Sequence, residues 1–343
     1  MGDYQRARQL YAQAVEVDPY YIEALANKGL TYEKEGRWED ALREYRRALA
    51  VGGKDVLALT LAKRAEEMLA LQRDAARRER IDRLVKELAE RFRKQKAGLF
   101  SKPKDTWTSR PMVISFVDFQ EKGGLSERDG ISQVIITQLG DYLNSTGRVQ
   151  VVERVLVERL LEELNLGSSE LADPEVSLRL GRILAAKLLG TGAIYFLPQG
   201  MLLSLRMIDT ETSAIPIVIN RKMDDFSMER ELRRLNREIL RMVIAKYPLR
   251  GYIVEAGASQ VILNIGSKQG VIQGTKFEVL EEQKPKKFKG KVLKVAPRRI
   301  GVLEVVRVEP GLSYARILRA ERPLESEDKV QELLEEGVAR GAI

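Results

Sequence analysis

The side chains that carry out most hydrolytic chemistry are missing from this sequence of 343 residues. It contains neither histidine nor cysteine, which removes Ser-His-Asp triads, cysteine nucleophiles, imidazole bases and the usual zinc ligands. Ser267 and Lys268 are adjacent in a predicted turn, where the lysine is badly placed to activate the serine. We therefore predict that the chain is not an enzyme.

Motifs for phosphates and metal ions are lacking as well. The run Gly190–Gly192 continues to Tyr195 where a dinucleotide-binding loop requires glycine, so we interpret it as a close strand crossing. Glu162 and Glu163 lie on a predicted helix whose opposite face is apolar, a pattern typical of a solvated surface. We expect no metal and no cofactor.

Two basic segments are candidates for binding an anionic partner. In the first, Arg73 to Lys96, carboxylates are interleaved with the basic residues, so ion pairs on a solvated helix face explain the charges. The second has no carboxylate among its basic residues and contains one aromatic residue, Phe288, although single-stranded nucleic acids need several stacking side chains. We expect it to contact an anionic surface or an acidic partner domain, with nucleic acid less favoured. Its members are Lys284, Lys286, Lys287, Lys289, Lys291, Lys294, Arg298 and Arg299.

Length, charge and hydropathy indicate the number of domains and limit the kinds of partner. At roughly 150 residues per domain the chain predicts two or three domains, and the excess of 58 Lys and Arg over 50 Asp and Glu, a formal charge of +8, permits an acidic partner without requiring one. No apolar run reaches the ~18 residues of a membrane-spanning helix. The first residues lack a secretory signal, so we expect either a cytoplasmic protein or a signal upstream; peripheral membrane association stays open.

A repeat of 34 residues marks the beginning of the chain. Residues of the same character recur at that offset: Gly2 and Gly36, Tyr4 and Trp38, Ala7 and Ala41, Tyr11 and Tyr45, Ala14 and Ala48. The pattern resembles the tetratricopeptide repeat (TPR), which implies an α-helical solenoid over residues 1–53, incomplete at its N-terminal end. By analogy, the concave side would present Glu23, Ala26, Leu30, Glu33 and Lys34 to a protein partner.

The region after the repeats has no glycine or proline from Asp55 to about Lys96. Apolar residues recur there at helical spacing, which predicts one long basic helix over 54–97, or two nearly continuous helices. Residues 98–110, with Pro103 and small polar residues, predict a linker.

The middle of the chain alternates strand and helix signals. Its segments Pro111–Phe119, Gly147–Arg154, Asp173–Glu175 and Arg206–Thr212 resemble the CsgG-like domain of the curli secretion channel, which implies an α/β domain over 111–248, a periplasmic location and self-association. Ser213 replaces the glycine usual in the family's hairpin, which predicts a looser turn. The chain has no insert of the kind that would form a transmembrane pore.

The last third is rich in predicted strands and closely spaced glycines. Asn264–Val271 and Gly274–Val279 resemble the C-terminal domain of the flagellar assembly protein FlgT, which implies a small SH3-like β-barrel over 249–332 and a tail over 333–343. Gly266, Gly270 and Gly274 stand where the backbone needs positive φ or close approach.

Three modules without catalytic groups indicate a cell-envelope scaffold that binds other envelope proteins through its TPR and its C-terminal barrel. We predict that it is periplasmic or associated with the outer membrane, a location implied by the resemblance alone. The alternative is a cytoplasmic nucleic-acid-binding adaptor that uses the two basic segments.

Overall fold

The structure, a computed structural model, describes residues 3–94, 105–123, 131–166, 173–197, 200–223, 228–283, 286–288, 291–293 and 295–334. Its contacts divide the chain into two compact units. Unit 1 comprises Met1–Gln95, Ser115–Asp141 and Val152–Leu235, and unit 2 comprises Lys96–Ile114, Tyr142–Val151 and Asn236–Ile343. The compact units therefore differ from the consecutive domains predicted from the sequence, because the N-terminal helices share unit 1 with much of the α/β region.

Five helices begin unit 1, and the 34-residue repeat is visible in their positions. They are α1 (Tyr4–Val17), α2 (Ile22–Lys34), α3 (Trp38–Val51), α4 (Val56–Arg73) and α5 (Ala75–Lys94). Both α3 and α4 begin 34 residues after their counterparts α1 and α2, so the repeat continues into α4, beyond the predicted end at residue 53. Tyr45 is fully buried and fits only because Gly29 has no side chain, since a Cβ there would lie 2.7 Å from the ring atom Cδ1.

The predicted basic helix is two helices that meet at Asp74. The backbone N–H of Asp74 donates to the carbonyl of Ala70 and ends α4. Its carboxylate accepts from the backbone N–H of Arg77 at 2.9 Å and caps α5. The second of the two alternatives drawn from the sequence is therefore confirmed.

The α/β region contains a five-stranded sheet in the order β2-β1-β3-β4-β5. Its strands are β1 (Val113–Gly123), β2 (Gln150–Val151), β3 (Leu188–Leu197), β4 (Gly200–Asp209) and β5 (Ile217–Met223). Its helices are α6 (Ile131–Ser145), α7 (Arg154–Leu164), α8 (Pro174–Ile183) and α9 (Met228–Lys246). The strands β3, β4 and β5 form an antiparallel meander, and β2 is parallel to β1.

The turn between β4 and β5 is tight, and the prediction of a looser turn is wrong. Ser213 adopts φ +62°, a conformation that normally favours glycine. The carboxylate of Asp209 accepts from the backbone N–H groups of Glu211 and Thr212, both at 2.9 Å. Ser213 donates its own N–H to the carbonyl of Asp209. These bonds hold the left-handed residue without glycine.

Unit 2 contains a closed six-stranded barrel in the order β11-β12-β7-β6-β13-β8. Its strands are β6 (Arg250–Ala256), β7 (Gln260–Leu263), β8 (Lys276–Glu281), β11 (Arg298–Val308), β12 (Ser313–Ala320) and β13 (Lys329–Glu332), and a hairpin of β9 (Lys286–Phe288) and β10 (Lys291–Leu293) lies between β8 and β11. Phe277, Leu263 and Leu303 are fully buried in its core. Residues 335–343, most of the predicted tail, lie outside the described residues.

Part of the predicted linker is bound to this barrel. Ser109 exchanges two hydrogen bonds with Arg250: its backbone N–H donates to the Arg250 carbonyl, and its hydroxyl accepts from the Arg250 N–H, both at 2.8 Å. Trp107 donates its indole N–H to the carbonyl of Gly251 at 2.9 Å and stacks against the charged groups of Arg250 and Lys329. Residues 105–110 are thus an ordered strap, and residues 98–104 lie outside the described part.

Candidate functional site

Three of the five residues predicted to face a partner on the repeats are buried inside unit 1. Ala26, Leu30 and Glu33 are 0%, 5% and 6% exposed, because α2 packs against α1, α3 and α4. Glu23 is partly buried and Lys34 is exposed. The expectation of an accessible face is therefore wrong for Ala26, Leu30 and Glu33.

Glu33 instead belongs to an ionic cluster formed by Glu33, Arg64, Arg154 and Glu158, in which the Glu33 side chain is buried and the other three are partly exposed. Its carboxylate accepts from the Tyr45 hydroxyl at 3.0 Å and lies 3.0 Å from Nε of Arg64. Arg64 also donates to Glu158 at 3.0 Å, and Glu158 accepts from Nε of Arg154 at 2.7 Å. The ionic cluster joins α2 and α4 of the repeats to α7 of the α/β region, and the Tyr45 hydroxyl connects α3 to it.

Burial and charge act in opposite directions within the ionic cluster. Burial alone would raise the pKa of Glu158, but Arg154 and Arg64 outweigh it, and the pKa lies below its ordinary value of 4.5. Burial would lower the pKa of Arg64, but Glu158 and Glu33 outweigh it and raise the pKa. The pKa of Arg154 is lowered, mainly by burial. Burial and then the charge of Glu33 raise the pKa of Tyr45, so its hydroxyl remains a donor.

The stability of unit 1 should depend on pH through Glu158. A carboxylate whose pKa is depressed on folding stabilises the folded state above its unfolded value, here 4.5, and that contribution is lost as the pH falls through the lower folded value. We expect thermal melts between pH 6 and pH 3 to show the gap between wild type and Glu158→Gln narrowing below about pH 4.5. A gap that stays constant over this range would contradict the assignment.

Four basic residues of α5 form ion pairs within unit 1. Arg83 pairs with Glu79 and Lys94 with Glu90 along the helix, as the sequence predicts. Three further pairs connect α5 to α7 or its N-terminal flank: Arg77 with Glu153, Asp82 with Arg159 and Arg93 with Glu163. In addition, the guanidinium of Arg179 in α8 lies 3.9 Å from the ring centre of Phe92. This helix therefore serves as a packing element of unit 1.

The second basic segment is only partly described. Lys286 and Lys287 lie in β9 and Lys291 in β10, which pair antiparallel. Arg298 and Arg299 are exposed on β11, and Arg298 pairs with Glu281 at 3.3 Å and with Glu321 at 3.4 Å. Carboxylates that are distant in the sequence therefore neutralise Arg298. Lys284, Lys289 and Lys294 lie outside the described residues.

The residues that the sequence analysis considered for catalysis or ligand binding lie in three different elements. Ser267 and Lys268 lie in a short 3-10 turn, Ser267–Gln269. A Cβ on Gly192 would lie 2.6 Å from the carbonyl oxygen of Ser204, as expected for a close strand crossing. Glu163 pairs with Arg93. Within the described ranges, no group of three or more acidic side chains is placed to hold a metal ion.

A groove that the sequence analysis missed lies between α3 and α4 on unit 1. Its cavity volume is about 530 Å³. The apolar floor is formed by Leu42 and Leu69, which are 7% and 8% exposed. The remaining lining residues are Glu39, Arg43, Arg46, Arg47, Ala50 and Arg73. The signal available in the sequence was the helical spacing of Arg43, Arg46 and Arg47, which places them along one stripe of α3.

Two family models match parts of the chain. Residues 1–65 match the tetratricopeptide repeat, and the match extends into α4. Residues 101–198 match the curli production assembly/transport component CsgG. No curated protein matches the sequence.

Among the helices of the described ranges, none is both long and apolar enough to cross a bilayer.

Several solved structures resemble the chain at low identity. The LpoB C-terminal domain from Salmonella enterica has 14% identity and a TM-score of 0.27, and the match covers 42% of this chain and 95% of that domain. The lipoprotein GNA1162 from Neisseria meningitidis has 10% identity and a TM-score of 0.31, with coverages of 38% and 97%. TolB from Acinetobacter baumannii has 9% identity and a TM-score of 0.29, with coverages of 61% and 58%.

Proposed function

We propose that this chain is a non-enzymatic assembly scaffold of the bacterial cell envelope. The observation that carries the proposal is the match of residues 101–198 to a curli assembly and transport component, in a chain whose TPR helices share a compact unit with much of the α/β region. The ionic cluster and the ion pairs of α5 join these helices to α7. Such a unit presents a fixed surface to partner proteins, and preorganised surfaces lose less entropy on binding.

The finer parts of the proposal concern the other modules. The α/β region mediates self-association, as its resemblance to a ring-forming channel domain implies. The closed barrel of unit 2 is a FlgT-like, SH3-like module that provides a second docking site. The scaffold is periplasmic or bound to the outer membrane, and its partners are envelope proteins.

Cell fractionation tests this location. We expect the protein, expressed from its complete gene with a C-terminal epitope tag in its own cells, to be recovered with the envelope. The tag should be degraded by protease added to spheroplasts, while a cytoplasmic marker remains intact. Recovery in the cytoplasm, protected from protease, would overturn the proposal and favour the nucleic-acid-binding adaptor.

A further inference from the structure

We propose that the groove between α3 and α4 binds an acidic, partly apolar peptide segment of a partner protein. The inference rests on the proposed scaffold function and names the chemistry of its partner. Within the lining, four guanidinium groups stand against the single carboxylate of Glu39. Their side chains are between 51% and 76% exposed, so a ligand can reach them. These four arginines form the rim of the groove. Carboxylates are their natural protein partners because arginine binds a carboxylate through two parallel hydrogen bonds.

The preceding groove of the same repeat, between α1 and α2, provides an internal comparison. Thirty-four residues before Leu42, Arg43, Arg46 and Arg47 stand Arg8, Gln9, Ala12 and Gln13. Arg8 pairs with Glu35 at 2.9 Å and stacks on the ring of Tyr32, and Glu35 is the residue that corresponds to Leu69. Thus the earlier groove has an ion pair at the positions that form the apolar floor between α3 and α4. Repeat packing therefore does not require the arginine rim or the apolar floor.

The extra length of α4 completes the second groove. This helix has 18 residues against the 13 of α2, so it continues for five residues past the position equivalent to Lys34. Leu69 and Arg73 come from this extension. The Leu69 part of the floor and the Arg73 side of the groove therefore have no counterpart in the groove between α1 and α2.

The arginines have partners within the chain, but these pairs leave them free to bind a ligand. Arg43 pairs with Asp40, Arg46 with Glu66, Arg47 with Glu44 and Arg73 with Glu39. The pairs of Arg43, Arg46 and Arg73 are at least partly exposed on both sides, and such pairs contribute about 0–1 kcal/mol. The Glu44 carboxylate that pairs with Arg47 is 5% exposed, so Arg47 is the more firmly held of the four. A guanidinium also has five N–H donors, more than one carboxylate can accept. A ligand carboxylate can therefore join or replace these partners at little cost.

The apolar floor favours a peptide over a nucleic acid or a lipid headgroup. Leu42 and Leu69 offer a site for an apolar side chain, which a phosphate backbone lacks. None of the eight residues in the described lining is aromatic, whereas single-stranded nucleic acids depend on stacking. A cavity of about 530 Å³ has room for a few side chains, and we infer a segment with one leucine-like residue flanked by glutamates or aspartates.

Fluorescence anisotropy with the full chain tests the proposal. The probe is a fluorescein-labelled 12-residue peptide of repeated Glu-Glu-Leu, and its counterpart carries lysine in place of glutamate. We expect wild type to bind the acidic peptide and not the basic one. Arg43→Gln with Arg46→Gln should weaken binding at least about tenfold. The matched control is Arg83→Gln with Arg91→Gln, two exposed residues of α5, and should change binding by less than about twofold.

A second variant tests whether binding is lost because the groove is blocked and not because the protein unfolds. Ala50 is exposed, so Ala50→Trp should block the groove without changing the far-UV circular dichroism, and it should also abolish binding. No binding of the acidic peptide, or equal losses in the control pair, would overturn the proposal. The proposal would also be overturned if a 12-nucleotide single strand, or phosphatidylglycerol vesicles, bound more tightly than the acidic peptide and lost that binding in the same variants. Because the assay uses purified protein, its failure leaves the fractionation result unchanged, and the two proposals can fail separately.

Discussion

Replacing Arg64 by methionine should lower the free energy of unfolding of unit 1 by about 3–5 kcal/mol. The substitution keeps most of the length of the side chain and removes its charge. It leaves the carboxylate of Glu33, whose side chain is 3% exposed, without the guanidinium beside it, and the Tyr45 hydroxyl still donates to that carboxylate. An uncompensated buried charge is among the most costly defects in a folded protein, and the partner Glu158 on α7 also loses two hydrogen bonds.

Denaturation by urea, followed by tryptophan fluorescence, measures this effect. The chain has two tryptophans, Trp38 in unit 1 and Trp107 in unit 2, so a Trp107→Phe background reports on unit 1 alone. Trp38 is well placed, because the guanidinium of Arg64 lies 5.8 Å from its ring centre. The matched control is Arg73→Met on the same helix. Its pair with Glu39 is 76% exposed on both sides, so we expect a change within about 0.5 kcal/mol.

A second substitution separates lost charge from lost packing. Adding Glu33→Gln to Arg64→Met removes the buried negative charge, and we expect it to recover part of the lost stability, so the two changes should not be additive. Full additivity, or a loss below about 1 kcal/mol for Arg64→Met alone, would show that the ionic cluster is not what joins the repeats to α7.

Local patterns predicted the elements of this protein because their causes are local. The 34-residue offset depends on which residues pack between neighbouring helices, and it predicted where α3 begins relative to α1. Asp173 and Pro174 are residue types that favour a helix start, and in the structure α8 begins at Pro174 with Asp173 accepting from the backbone N–H of Glu175. The CsgG-like segments Pro111–Phe119, Gly147–Arg154 and Arg206–Thr212 overlap β1, β2 and β4 of the sheet.

Contacts between distant parts of the chain escaped prediction for the opposite reason. Arg64 and Glu158 are 94 residues apart, and no periodicity connects them. The analogy with peptide-binding repeats assigned Glu33 to an open face, and it could not show that α7 supplies the charges beside α4. The strap of residues 105–110 appears as a linker because the partners of Trp107 and Ser109 lie more than 140 residues away.

The surface of α3 shows a further reason why the groove could not be predicted from the sequence. Arg43, Arg46 and Arg47 are ordinary solvated residues when α3 is considered alone. They become the rim of a groove only because α4 extends five residues further than α2 and brings Leu69 and Arg73 beside them. The functional candidate therefore depends on the length of a neighbouring helix, which apolar spacing predicts less reliably than the existence of the helix.

Replacing Gly266 by alanine should destabilise unit 2 by about 3 kcal/mol, through overpacking against a backbone that has little freedom to move. Gly266 has an extended backbone, with φ −144°, so no positive φ is involved. A Cβ at this position would overlap the carbonyl oxygen of Glu309 and lie 2.7 Å from the N and O atoms of Leu312. The same Glu309 carbonyl accepts from Ser267 at 2.9 Å, so moving it away would cost a hydrogen bond.

Two other glycines of unit 2 distinguish this steric effect from a conformational one. Gly274 has φ +85° and open space around it, so Gly274→Ala should cost only the left-handed backbone, about 1 kcal/mol. Gly311 has neither a positive φ nor a close neighbour, and its alanine variant should be almost neutral. Urea denaturation in a Trp38→Phe background, where Trp107 reports on unit 2, should rank the losses as Gly266, then Gly274, then Gly311. If the alanine variants of Gly266 and Gly311 lost equal unfolding free energy, the backbone at Glu309 would be able to move aside for a side chain. The close approach predicted at Gly266 would then not be the reason for glycine at that position.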